Sequence, residues 1–139
     1  YVFKKIFGDI NFAFTAGKTR FVCLNTNSRE FDHTTSVPDF SFIKEQQEIF
    51  PAGVVNTVAA MHAPPTSEQF DNNISPYFEY ELLSFPNLLC CIHGHNHHNS
   101  AKDLFGDGNI YYGVASASNL SYYIFTVFPE GYTYETIDC

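Results

Sequence analysis

Leu88-Leu89-Cys90-Cys91-Ile92-His93-Gly94-His95-Asn96-His97-His98 is the stretch on which the reading of this chain turns. Its first half is an apolar run of strand length, and its second half packs four imidazoles around one glycine. A strand ending in Gly-His-x-His delivers side chains to the C-terminal rim of a sheet, where open α/β sheets build their sites. Glycine lets the backbone turn sharply, so His95 and His97 can face one common space. Neutral imidazole is the commonest metal-binding side chain, and two of them in one turn make a bidentate claw. The bland alternative is a polar loop that happens to be rich in histidine. A purification tag would be terminal and would lack the apolar strand before it.

Upstream, residues 54–61 form a second β-rich run, and it too ends in a histidine: His62-Ala63-Pro64-Pro65. If the two strands are sheet neighbours, His62, His95 and His97 converge at one rim. Between them lies a polar loop over 66–75 and a helix opened by Pro76 and reaching Phe85. Its apolar residues offer two competing faces, Tyr77/Tyr80/Leu83 and Phe78/Glu81/Phe85. Asp39 or Ser41 caps an earlier helix running to about Phe50, with Phe42, Ile43 and Gln46 on its inner face. Before it, strands over 10–16 and 19–25 form a hairpin around Gly17-Lys18, and 26–38 reads as a polar loop ending at Pro38. After the histidines, 102–108 reads as a loop, and strands over 109–115, 121–128 and 132–137 close the chain. The order predicts one α/β domain whose mixed sheet turns antiparallel late in the chain and carries flanking helices.

The 139 residues are 45% hydrophobic, with 15 Phe and 9 Tyr, enough to bury a core and to exclude general disorder. A formal net charge of -8 and the lack of any basic stripe argue against a nucleic-acid backbone as partner. Bound cations can still bring a phosphate to an acidic protein. Cys90 and Cys91 are adjacent on a strand and face opposite sides, and no C-x-x-C occurs, so Cys23, Cys90, Cys91 and Cys139 read as reduced thiols. Reduced thiols fit a cytoplasmic setting. No stretch is long and apolar enough to span a membrane. The chain opens on Tyr1 and lacks a secretory leader, so its natural beginning is expected upstream, and the compartment is not readable.

Together, Met61-His62-Ala63-Pro64 and Gly94-His95-Asn96-His97 resemble the His-x-Pro and Gly-His-x-His motifs of the calcineurin-like metallophosphoesterases, in order and separated by a helix. The early hairpin, with Phe12, Phe14, Gly17 and Phe21-Val22-Cys23-Leu24-Asn25-Thr26, is similar to the family's aromatic strand and the apolar strand that follows it. The segment Glu45-Gln46-Gln47 resembles the one leading to His-x-Pro, and Tyr111–Gly113 with Gly131-Tyr132 resembles the closing sheet. The resemblance covers nearly the whole chain and implies the C-terminal half of a four-layer sandwich, so that residues 1–139 form a partial domain. It implies that His62 and His95 ligate one metal and His97 the other. The intact site uses two divalent ions, Mn, Fe, Zn or similar, to hydrolyse a phosphomonoester or phosphodiester.

The family's earlier motifs, Asp-x-His, Gly-Asp-x-x-Asp and Gly-Asn-His-Asp/Glu, are not present. Asp32-His33 lacks the intervening residue, Gly8-Asp9 is followed by Phe12 where an Asp is required, and Asn109 is followed by Ile110. The chain alone is therefore expected to hold at most one ion, weakly, and to be inactive. Two other readings stand beside this one. One is a non-catalytic module that self-associates through an exposed sheet edge. The other is a mononuclear zinc site of His62, His95 and His97, with the ligand count of a catalytic zinc.

Among the remaining polar residues, His93 reads as a structural hydrogen-bonding group and His98 as solvent-facing. Asn96 and Asn99 shape the loop, and Asp32 and His33 read as solvated, with a substrate-side role as the alternative. The pairs Tyr111/Tyr112 and Tyr122/Tyr123 predict one core and one surface ring each.

Overall fold

The computed structural model describes residues 2–28 and 36–139, so Asp32 and His33 lie outside the described residues. A short helix, α1 (Val2–Phe7), precedes the hairpin β1 (Phe12–Ala16) and β2 (Thr19–Leu24). Helix α2 (Phe40–Glu48) leads to β3 (Asn56–Met61), and α3 (Ser75–Leu83) leads to β4 (Leu88–His93). Then come β5 (Ser100–Asp103), β6 (Ile110–Gly113) and a closing hairpin, β7 (Ser121–Phe128) and β8 (Gly131–Asp138).

Six strands form one mixed sheet in the order β1, β2, β3, β4, β6, β5. The inner four are mutually parallel, and both edge strands run antiparallel to their neighbours. Parallel neighbours need a crossover, and α2 and α3 supply the two that join β2 to β3 and β3 to β4. Asp39 starts α2 by accepting hydrogen bonds from the amides of Ser41 and Phe42, a cap of about 1 kcal/mol. Pro76 sits in the first turn of α3, where its missing N–H costs nothing.

The alternating residues of the inner strands divide between two cores. On one face Val22, Leu24, Ala59, Met61, Cys91 and Tyr111 pack with Ile43 of α2 and Phe78 and Leu82 of α3. On the other, Val58, Cys90 and Tyr112 meet Tyr123, Phe125 and Tyr132 of the closing hairpin. Helices, six-stranded sheet and two-stranded sheet thus make three layers. Adjacent Cys90 and Cys91 point into opposite cores as free thiols, and burial pushes the Cys90 thiol up to about 12.

Several expectations change here. Both Tyr111 and Tyr112 are buried, because β6 is covered on both faces. Tyr122 is exposed and Tyr123 half-buried, as alternation requires. The expected loop over 102–108 begins as an edge strand: Ser100–Asp103 pairs with β6, and only afterwards does the Asp103 carboxylate accept amide N–H groups from Gly106, Asp107 and Gly108. The late sheet does not simply turn antiparallel, since β6 joins β4 in parallel and β7–β8 form a sheet of their own. On α3 the face of Phe78 and Glu81 wins over that of Tyr77, Tyr80 and Leu83. Burying that face brings in Glu79 as well. Its carboxylate accepts from Asn109 Nδ2 at 2.8 Å and from the Tyr111 hydroxyl. Burial raises the Glu79 carboxyl above its ordinary range despite these donors.

Candidate functional site

Strand register assembles the site. Met61 of β3 lies beside His93 of β4, so the next residues, His62 and Gly94, emerge side by side at the C-terminal rim. A Cβ on Gly94 would lie 3.2 Å from His62 Nδ1. A side chain here would crowd the neighbouring imidazole, and the sharp turn expected of the glycine falls instead on His95 (φ 69°) and His97 (φ 57°). Left-handed backbone in two non-glycine residues is uncommon, and such outliers cluster at binding and active sites.

The turn swings His95 back against His62, their ring centroids 5.4 Å apart and edge-on at 80°. The His95 Nε2–H donates to Glu68 Oε1 at 2.9 Å. His97 is exposed, and its carbonyl accepts from Asn119 Nδ2 at 2.9 Å, which ties the histidine loop to the single-turn 3-10 helix Ala117–Asn119. Of the three histidines singled out from the sequence, the structure thus brings two, His62 and His95, into contact. Among the described residues no three His, Cys, Asp or Glu side chains close into a ready metal site. An imidazole pair with a nearby carboxylate is nonetheless a donor set suited to zinc, iron or manganese.

The other histidines hold the loop. His93 is buried, donates through Nδ1–H to the Gly94 carbonyl at 2.9 Å, and has its pKa lowered by that burial. A Cβ on Gly113 would lie 2.9 Å from its Cε1. The His98 Nδ1–H donates to the Asn96 carbonyl at 2.8 Å on the exposed side. Asn99 accepts from the Ala115 amide at 2.9 Å and so fastens the end of the loop.

Glu68 was not legible as a site residue. It lies 27 positions from His95 in a segment that reads only as polar loop, and nothing short of the β3–β4 adjacency connects the two. Among the described residues, the same rim carries buried oxygens without a hydrogen-bond partner, Thr26 Oγ1, Asn27 Oδ1 and Ser67 Oγ. Beside Glu68 an open cleft of about 690 Å3 runs between Pro38, Phe40, Phe70 and Asp71. No protein-family model matches this chain, and no curated protein matches it either.

Proposed function

We propose that the chain carries the His62/His95/His97 part of the metal site of a metal-dependent phosphoesterase, resembling the C-terminal half of the calcineurin-like sandwich. The observation that carries this reading is the edge-on contact of His62 and His95 at the ends of neighbouring parallel strands. His62 and His95 would hold one divalent ion and His97 a second, with the remaining ligands supplied by residues outside this chain. Such ions supply neutralisation of phosphate charge and activation of water at neutral pH. The substrate would be a phosphomonoester or phosphodiester, and the cleft beside Glu68 offers room for its leaving group. By itself the chain would hold at most one ion and would not turn over. Titration calorimetry with Zn2+ or Mn2+ tests this directly. One weakly held ion is expected, lost in both His62→Ala and His95→Ala. Uptake undiminished in both variants sinks the reading.

A second reading, self-association through a sheet edge, is favoured by β1. Among the described residues that strand pairs only with β2, and its Phe12 and Phe14 rings stack 6.3 Å apart while remaining about half exposed. Free edges with apolar side chains recruit partners. Sedimentation at rising concentration should then reveal a dimer or larger species that Phe14→Lys disperses. A monomer throughout counts against this reading.

A further inference from the structure

We infer that Glu68 is a positioning residue that presents one particular nitrogen of His95 to the metal. The inference rests on the metal reading above and concerns which way the ligand faces. A carboxylate can only accept, so the 2.9 Å contact fixes the proton of a neutral His95 on Nε2. The lone pair then resides on Nδ1, which is the ring atom left to bind an ion. Metal-ligating histidines generally give their other ring N–H to a carboxylate or carbonyl in this way, which sets ring orientation and raises ligand basicity.

An ion pair between two exposed, mobile side chains would carry little weight. This one differs in the burial of the histidine and in the tethers of the loop that carries the carboxylate. The His95 side chain is only 13% exposed, wedged against His62 by a backbone held at positive φ. Glu68 is itself open to solvent, but its backbone is pinned. The Asn72 side chain accepts from the Thr66 amide at 2.7 Å and donates to the Ser67 carbonyl at 2.8 Å. Two residues on, Phe70 is buried edge-on against Phe78. A loop tethered before and after residue 68 holds the backbone that carries this carboxylate within reach of the His95 ring.

The test uses nitrogen-15 NMR of the 139-residue chain at a pH above the imidazole range, with and without Zn2+, beside calorimetry with Zn2+. A ring N–H held by a carboxylate exchanges slowly enough to be seen, whereas a solvent-facing one does not. The wild-type chain is expected to give a His95 Nε2–H signal that persists when Zn2+ is added. Glu68→Ala should lose that signal and bind Zn2+ about 10- to 100-fold more weakly. Glu68→Gln keeps an oxygen acceptor and should retain the signal. Absence of the signal in the wild type, its survival in Glu68→Ala, or its loss on adding Zn2+ would each overturn the assignment. The last outcome would mean that Nε2 or Glu68 itself goes to the metal. Equal Zn2+ affinity in wild type and Glu68→Ala also overturns it. A wild type that takes up no Zn2+ overturns the metal reading, and with it the role of Glu68 toward a metal, even if the ring N–H signal is intact.

Discussion

In the longer protein that the proposed function calls for, His95→Ala is expected to lower metal-dependent phosphoester hydrolysis by at least about a thousandfold. Charge stabilisation by a correctly held divalent ion is worth several kcal/mol in the transition state, and each ~1.4 kcal/mol is tenfold in rate. Losing one of the imidazoles of a centre that His95 would share with His62 therefore removes roughly three powers of ten. The fold should survive, because His95 lies on the rim and not in either core. One complication is the backbone: alanine at φ 69° carries a left-handed penalty of about 1–2 kcal/mol that glycine or asparagine largely avoids. His95→Asn separates the two effects, since it tolerates that conformation while lacking the imidazole. Initial rates on a chromogenic phosphoester, measured against added metal for both variants and for His98→Ala, decide the matter. His98 hydrogen-bonds the Asn96 carbonyl on the exposed side, so its variant should remain near the wild-type rate. Rates within tenfold of wild type in both His95 variants would end the phosphoesterase reading.

Periodicity and turn chemistry made most of the frame legible. The Gly17-Lys18 turn, the Asp39 cap, Pro76 and the alternating run 121–128 each encode a local decision, and each coincides with an element boundary or span in the structure. What stayed hidden depends on partners far along the chain. Ser-Ala-Lys-Asp over residues 100–103 has no apolar alternation, and it is a strand only because β6 offers it an edge. The double burial of Tyr111 and Tyr112 follows from layers on both faces of β6, which no local pattern announces. At the site, the histidines were visible as strand ends, and the closeness of His62 to His95 followed once β3 and β4 became neighbours. Glu68 was invisible for the same reason that Ser100–Asp103 was. Its meaning lies in a contact across 27 positions, whereas sequence spacing reports only on neighbours within an element.

Phe78→Ala is expected to cost about 3–5 kcal/mol, the usual penalty for emptying a fully buried phenylalanine site. Phe78 is 0% exposed and lies beneath the sheet among Leu82, Ile43 and the strand residues that precede the histidine rim. Native domains hold only about 5–15 kcal/mol in reserve, so this one ring accounts for a large share of the total. Tyr80, 65% exposed on the opposite side of the same helix, provides the control: Tyr80→Ala should change stability by no more than about 0.5 kcal/mol. Urea unfolding followed by circular dichroism separates the two, and a Phe78→Ala cost below about 1 kcal/mol would contradict a core centred on α3. The loss also reaches the site. Phe70 rests edge-on against Phe78 at 5.1 Å, two residues from Glu68, so the cavity left by alanine removes one of the anchors of that loop. In Phe78→Ala the Glu68–His95 contact should therefore loosen at urea concentrations where the sheet is still folded, with the loop held by its remaining hydrogen bonds, those of Asn72 and those of Ser28 with the Gln69 carbonyl and the Asp71 amide. The order of events, rim before sheet, follows from the packing: the loop that carries the Glu68 carboxylate rests on Phe78, the ring that also packs α3 against the strands.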